Sequence, residues 1–386
     1  MTRARGGRRA ALVAALACGC AAGEARAGGG PATDAYQDVT AGALDVHALA
    51  DVYVLHDFDR PPSGRTVLRE FDLGSDDPSL GYLRLTLARR PSPIGFRIDA
   101  GVGDTADVYR SEDPEDALHP QLSRALSYLG QAFVSVVVPL GRGLAVDVGK
   151  FATPAGYEDN ESIANWNYSR SFLFSWGEPS LHTGVRLSMS PIEKLDLSIF
   201  WLDGWNANFV DGDDLRSFAL AVGAHPRKSI ELTLTYVAGL ERAPTALADP
   251  TLAWRTLLCA AAEWEARRWL TLVLAADYGD DRARGGVRWG GVAGYVHVQP
   301  WRFVSATVRG EYYADPGGFT TGTAQSLGEV TATVELRGRR GPVTLAARLE
   351  YRHDQSTARP FVTPAGPVAA QDSMTIALIA AASRSR

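Results

Sequence analysis

From Ile94 to Arg352 the chain alternates apolar and polar residues in segments of eight to twelve, joined by connections that are short and long in turn. Leu195-Asp196-Leu197-Ser198-Ile199, Ile230-Glu231-Leu232-Thr233-Leu234-Thr235-Tyr236 and Val330-Thr331-Ala332-Thr333-Val334-Glu335-Leu336 repeat with a period of two. That is the period of a β-strand with one apolar and one polar face. Such segments fall at 44–58, 79–88, 94–102, 125–138, 144–151, 182–189, 195–205, 217–224, 230–240, 254–265, 269–278, 289–298, 303–313, 328–337, 343–352 and 373–381. In a soluble sandwich the apolar faces would meet a second sheet, yet the polar faces here carry Arg and Glu and nothing divides the strands into two layers. A closed barrel with apolar residues toward lipid and charged residues toward a wet lumen satisfies both faces. The pattern predicts an all-β, transmembrane, antiparallel up-and-down barrel of about sixteen strands, with fourteen to eighteen compatible.

The connections set the orientation. Short ones at 89–93, 139–143, 190–194, 225–229, 266–268, 299–302 and 338–342 mostly carry the Pro and Gly of tight turns. Long ones fall between them, at 59–78, 103–124, 152–181, 206–216, 241–253, 279–288, 314–327 and 353–372. Short turns are periplasmic and long loops outward in such barrels, so an even strand count places both termini in the periplasm. Trp269, Trp301 and Phe303 at the short-turn ends, and Trp205, Tyr278, Tyr312 and Tyr313 at the long-loop ends, read as two interfacial girdles.

The N-terminus agrees with export. Arg3, Arg5, Arg8 and Arg9 precede the apolar run 10–22, and Ala25-Arg26-Ala27 offers small residues before Gly28, so residues 1–27 read as a secretory signal peptide. Lipoprotein processing at Cys18 or Cys20 is the competing reading. Residues 28–43 are expected to be a short periplasmic segment and 44–386 the barrel. The apolar run is shorter than the roughly 20 residues that span a bilayer, and no longer one follows. Removing 1–27 takes away five Arg and one Glu, leaving 34 basic against 43 acidic residues, a net charge of −9. Nucleic acid is therefore not an expected partner. Cys259 is then the one cysteine left, read as a small packed or lipid-facing residue.

Alternation assigns the inward side chains. With Ile98, Val102, Val146, Leu187, Leu232 and Val308 toward lipid, Arg97, Asp99, Asp147, Arg186, Glu231, Arg309, Glu311, Glu335, Arg348 and Glu350 face the lumen. Around a water-filled bore these charges are expected to stay solvated and to pair across it, as pore or lattice. The connection 152–181 is unusually aromatic, with Asn165, Trp166, Tyr168, Arg170, Phe172 and Trp176. It is expected to pack on the barrel, either inside the bore as a constriction that favours polar organic solutes or as a lid over its mouth.

Gly149-Lys150-Phe151-Ala152-Thr153-Pro154-Ala155-Gly156-Tyr157-Glu158, then Asn165-Trp166-Asn167-Tyr168-Ser169-Arg170-Ser171-Phe172, His182-Thr183-Gly184-Val185-Arg186 and Asp203-Gly204-Trp205-Asn206 follow in order. Together they resemble the OmpL-like family of β-barrel porins over about residues 44–382. The resemblance implies a porin in the outer membrane of a Gram-negative bacterium, passing small polar solutes, with outer-membrane lipid around it. It carries over no catalytic set. Unlike many such barrels the chain closes without an aromatic residue, so its assembly signal is expected elsewhere. Pores of this size often form homotrimers.

Two rival classes stay open: a plugged structural or adhesive barrel, and an outer-membrane barrel enzyme. None of the seven histidines lies in a nucleophile motif or at metal-ligand spacing, so no catalytic residue, metal or cofactor is expected, and His182 beside the aromatic loop is the one to test. Asp211-Gly212-Asp213-Asp214 lacks the spacing of a calcium loop.

Overall fold

The computed structural model describes residues 44–111, 128–205, 215–242 and 252–385. The signal-peptide reading, Asp211–Asp214 and His119 lie outside them. In chain order the strands are β1 (Asp45–Asp57), β2 (Ser79–Arg89), β3 (Ile94–Val102), β4 (Leu129–Val138), β5 (Leu144–Ala152), β6 (Leu181–Ile192), β7 (Leu195–Leu202), β8 (Ser217–Arg227) and β9 (Ile230–Arg242). They continue as β10 (Leu252–Arg267), β11 (Leu270–Asp281), β12 (Val287–Trp301), β13 (Val304–Asp315), β14 (Gln325–Arg340), β15 (Val343–Ser356), β16 (Phe361–Thr363), β17 (Gly366–Val368) and β18 (Ala370–Ser385).

Among the described residues, β1–β15 and β18 close into one barrel in which every strand pairs with its sequence neighbour, and β1 pairs antiparallel with β18 along Asp45–Asp57. Closure leaves no strand edge, which is the condition for sheet structure inside a bilayer. The expected strand order and all sixteen segments are present. β16 and β17 form a small separate hairpin inside the last long connection, and a helix, α1 (Asp104–Ser111), stands in the second. One expected long connection is short: β11 and β12 extend to Asp281 and Val287, leaving 282–286 as a tight turn, because the strands continue their pairing beyond the apolar stretch.

Outward alternation holds along the wall. Ile98, Val102, Leu187, Leu232 and Val308 are exposed on the outer face, where lipid would cover them. Trp269, Trp301, Phe303, Tyr278 and Tyr312 are exposed at the strand ends, as girdle residues would be. Tyr313 and Trp205 are corrections to that reading. Tyr313 is one register step from Tyr312 and is buried inside, and Trp205 packs against Trp289 on the inner side with ring centroids 6.2 Å apart.

Candidate functional site

Loop 152–181 leaves β5, folds into the lumen and returns to β6 without one exposed residue. Its neck is closed by the Thr153 N–H donating to Ser180 O at 3.2 Å. Inside, it makes a 3-10 turn at Ser162–Ala164 and a wide π turn at Leu173–Gly177. Such irregular backbone leaves peptide groups without partners of their own, and buried peptide groups must find some. The wall supplies them.

On β13–β15 the partners are charged side chains. The Glu350 carboxylate accepts from Tyr168 N at 2.5 Å and Ser169 N at 2.9 Å, and Glu311 accepts from Phe172 N at 2.7 Å and Leu173 N at 2.6 Å. Arg348 donates to the carbonyls of Ser162 (2.7 Å), Asn165 (2.5 Å) and Asn167 (3.1 Å). Arg309 donates to Ser169 O at 2.8 Å, and Arg352 to Arg170 O at 2.6 Å. Arg309 also pairs with Glu158 of the loop and Glu329 of β14, both at 2.6 Å. On the adjoining strands Asp51 of β1 holds Ser162 and the Tyr168 hydroxyl, and Arg84 of β2 holds Glu161.

Opposite, the inner wall is apolar at the level of the loop. Phe200 and Leu202 of β7, Ala219 and Ala221 of β8, Val237 of β9 and Leu257 of β10 cluster with Phe133, Phe151 and loop residue Ala155. Thr235 Oγ1 donates to Pro154 O at 2.7 Å at this side. A wholly polar inner face was the expectation; here the loop replaces water as the neighbour, so an apolar arc buries surface instead.

All ten expected inward residues lie on the inner side, but their surroundings differ from a row of solvated charges. Arg309 is 0% and Glu350 2% exposed, because the loop covers them. Asp99 is paired with Arg97 at 2.9 Å and Arg84 at 3.5 Å, Asp147 with Arg186 at 2.9 Å, and Glu335 with Arg337 at 2.7 Å and Arg348 at 2.8 Å. Arg186 also stacks over Phe151, its guanidinium carbon 4.9 Å from the ring centre. Glu231 stays half-buried, in register with Glu263, which accepts from the Tyr157 hydroxyl at 2.8 Å.

The six loop residues singled out by sequence divide in two. Asn165 folds the loop on itself through Asp159 O at 2.7 Å, Tyr168 points at Asp51, Arg170 donates to Tyr168 O at 2.7 Å, and Phe172 lies under the Arg352 guanidinium at 4.6 Å; all four are buried. Trp166 and Trp176 stay half-buried. Trp166 stacks on His297 of β12 at 4.4 Å and 12°, and Trp176 Nε1 donates to Leu68 O at 3.4 Å. Leu68 belongs to the first connection, which also enters the lumen: Arg69 pairs with Asp72 at 3.0 Å, and Phe71 packs on Phe174 at 5.7 Å.

Burial changes the acids of the loops. Glu161 is pushed up to about 7 by burial, against the pull of Arg84, which it shares with Asp99. Burial, and then the neighbouring Asp277, hold Glu178 well above the usual carboxylate range. His182 is buried with Nε2 3.2 Å from Thr153 Oγ1 and so belongs to the neck of the loop. Glu178, Cys259 and Asp277 bring one ligand atom each within 4.8 Å of one another, a grouping with no counterpart in sequence spacing.

The family model described as "Putative beta-barrel porin-2, OmpL-like" matches residues 43–381. No curated protein matches the chain. Among solved structures it is similar to OmpT of Vibrio cholerae in its trimer form, with TM-score 0.56 and 12% identity over 89% of this chain and 100% of that one. It is similar to the outer-membrane channel DcaP of Acinetobacter baumannii, with TM-score 0.56 and 10% identity over 89% and 98% of the chains. The anion-selective porin from Comamonas acidovorans gives 0.55 and 10% over 88% and 98%. At these identities the likeness is one of fold.

Proposed function

This chain belongs to the OmpL-like β-barrel porins, outer-membrane channels for small solutes, and on that premise we propose that loop 152–181 is the constriction of a water-filled pathway for passive diffusion of small polar solutes. The observation that carries the reading is the anchoring of the loop across the lumen by wall arginines and glutamates. The remaining passage follows the arc where inner residues stay half-buried: Glu231, Glu263, Thr271, His297 and Gln299 beside Trp166. An acid-bearing passage flanked by an indole suits neutral or cationic polar solutes, with sugars stacking on the ring. The wall charges act by holding the loop and by their field, and the protein is no enzyme. Both termini lie in the periplasm, residues 1–27 are removed as a signal peptide, residues 28–43 lead into the barrel, and three copies associate, as in the trimer form of OmpT.

A second reading, a barrel plugged by the same loop, is favoured by the lack of any exposed residue in it. Single-channel recording on the refolded mature chain separates the two. Gly156 and Glu178 lie against each other, so removing 158–176 shortens the loop with little strain on its ends. Small discrete steps from the native chain, larger ones from the shortened chain and block by added sugar are expected. Steps of equal size in both would remove the loop from the pathway, and a silent native barrel beside a conducting shortened one would establish the plug.

A further inference from the structure

Where the loop returns to the wall its Glu178 meets Cys259 and Asp277, and among the described residues no basic side chain pairs with the three. Cys259 of β10 and Asp277 of β11 are direct cross-strand partners on the inner face, and Glu178 is on the last stretch of the loop before β6. Their exposures are 3%, 8% and 7%, and their ligand atoms lie within 4.8 Å of one another. Among the described residues Glu178 Oε2 and Asp277 Oδ2 are met by nothing outside the group: the two carboxyls face each other, and the Cys259 thiol faces Asp277. Buried acids that face one another without a cationic partner are costly to ionise, and the cost falls if a cation is held between them. The surroundings add negative charge, since Glu158 and Glu311 also face Glu178. Arg255, the arginine of β10 nearest in sequence to Cys259, is committed to Asp281 at 2.7 Å and Glu241 at 3.3 Å.

We propose that Glu178, Cys259 and Asp277 bind one divalent cation of the zinc class, which ties the return limb of the loop to β10 and β11. One sulfur with two carboxylate oxygens is a borderline-soft donor set, suited to a four-coordinate ion. Calcium and magnesium take six or more oxygens and no thiolate, so they are the wrong class. Gly156, at φ +83°, closes the other side: a Cβ there would overlap the Glu178 carboxylate, so a glycine lets the outgoing limb press Glu178 toward the wall. Binding expels the thiol proton and any proton resting on the carboxylates, and affinity therefore rises with pH.

Cadmium is the probe, because its thiolate gives an ultraviolet charge-transfer band. The mature chain is refolded with one equivalent of cadmium, and folding is checked by heat-modifiable mobility on a gel. A band with one cadmium retained per folded barrel is expected, absent in Cys259→Ser. Removing a direct ligand should weaken binding at least as much as loss of an outer-shell partner, roughly 10–100-fold, in Glu178→Gln and in Asp277→Asn. A folded native barrel without band or retained metal overturns the site. So does unchanged affinity in both carboxylate variants, which would mean cadmium on the thiol alone. Neither result bears on conductance.

Discussion

The barrel holds one loop in two unlike ways. On β13–β15 buried Arg and Glu grip its peptide groups, whereas on β7–β10 Phe200, Leu202, Val237 and Leu257 press on it with apolar surface. The two arcs respond differently to damage. Apolar contact is graded, about 25 cal/mol for each Å² removed from water. A buried ion pair pays heavily for desolvation, contributes little net stability when intact, and costs much when one partner goes and leaves its mate charged and dry. The charged arc therefore specifies where the loop lies, and the apolar arc supplies adhesion without choosing a register.

Arg309→Ala should be the most damaging single change, because it takes the one close ion pair from Glu158 and leaves Glu329 only the longer contact with Arg352 at 3.6 Å, at a cost of about 3–5 kcal/mol. The urea midpoint of the barrel in detergent measures it, and a loss below about 1 kcal/mol would make the arc no tighter than a surface pair. On the apolar arc Leu257→Ala should cost roughly 2–5 kcal/mol, while Leu257→Met should cost less than about 1.5 kcal/mol. Equal losses from the two would show that shape, and not area, governs that side. Outside the comparison, Leu232→Arg places a charge on the lipid face and should cost about 2–4 kcal/mol near mid-depth, while Glu231→Gln on the inner face leaves membrane yield nearly unchanged.

The smallest expected effect is one of pH, on the charged side of the loop where Arg84 of β2 holds Glu161. Glu161, held at about 7 by burial, favours the docked loop when protonated. Its contribution is full below the ordinary carboxylate range near 4.5 and is lost as pH rises through about 7. Proteolysis of the loop in intact barrels should thus be faster at pH 8 than at pH 5. Glu161→Gln should flatten that difference, and a pH profile that survives the substitution would assign it to another group.

The alternation of Glu231 with Leu232, or of Arg309 with Val308, was legible because lipid tolerates no charge and the strand period is two. Where backbone departs from that period, legibility fails. Gly149 has φ +136° in β5, and beyond it the neighbours Lys150 and Phe151 are both buried, so the alternation of burial is interrupted although the pairing register runs on. The entry of loop 152–181 could be expected from its aromatic residues, but its anchors could not. Glu350 reads in sequence as one more inward acid, and its role as acceptor for two successive peptide N–H groups depends on a segment 182 residues away. The apolar arc was hidden for the same reason: Ala219, Ala221 and Val237 are inner residues whose neighbour is the loop and not water. Likewise, the meeting of Glu178, Cys259 and Asp277 arises from strand register plus a loop path, and neither leaves a spacing motif.

Residues 161–168 reach both sides of the junction where the first and last strands meet. They hold Asp51 and Arg84 on β1 and β2, and Arg348 and Glu350 on β15, with β18 between. The middle of the chain thus acts as a cross-brace on the seam that joins its two ends. Parting β1 from β18 toward the lipid requires unzipping their ladder and also tearing the brace from its charged seats, so the one joint in the wall made without a connecting turn is the joint reinforced from within.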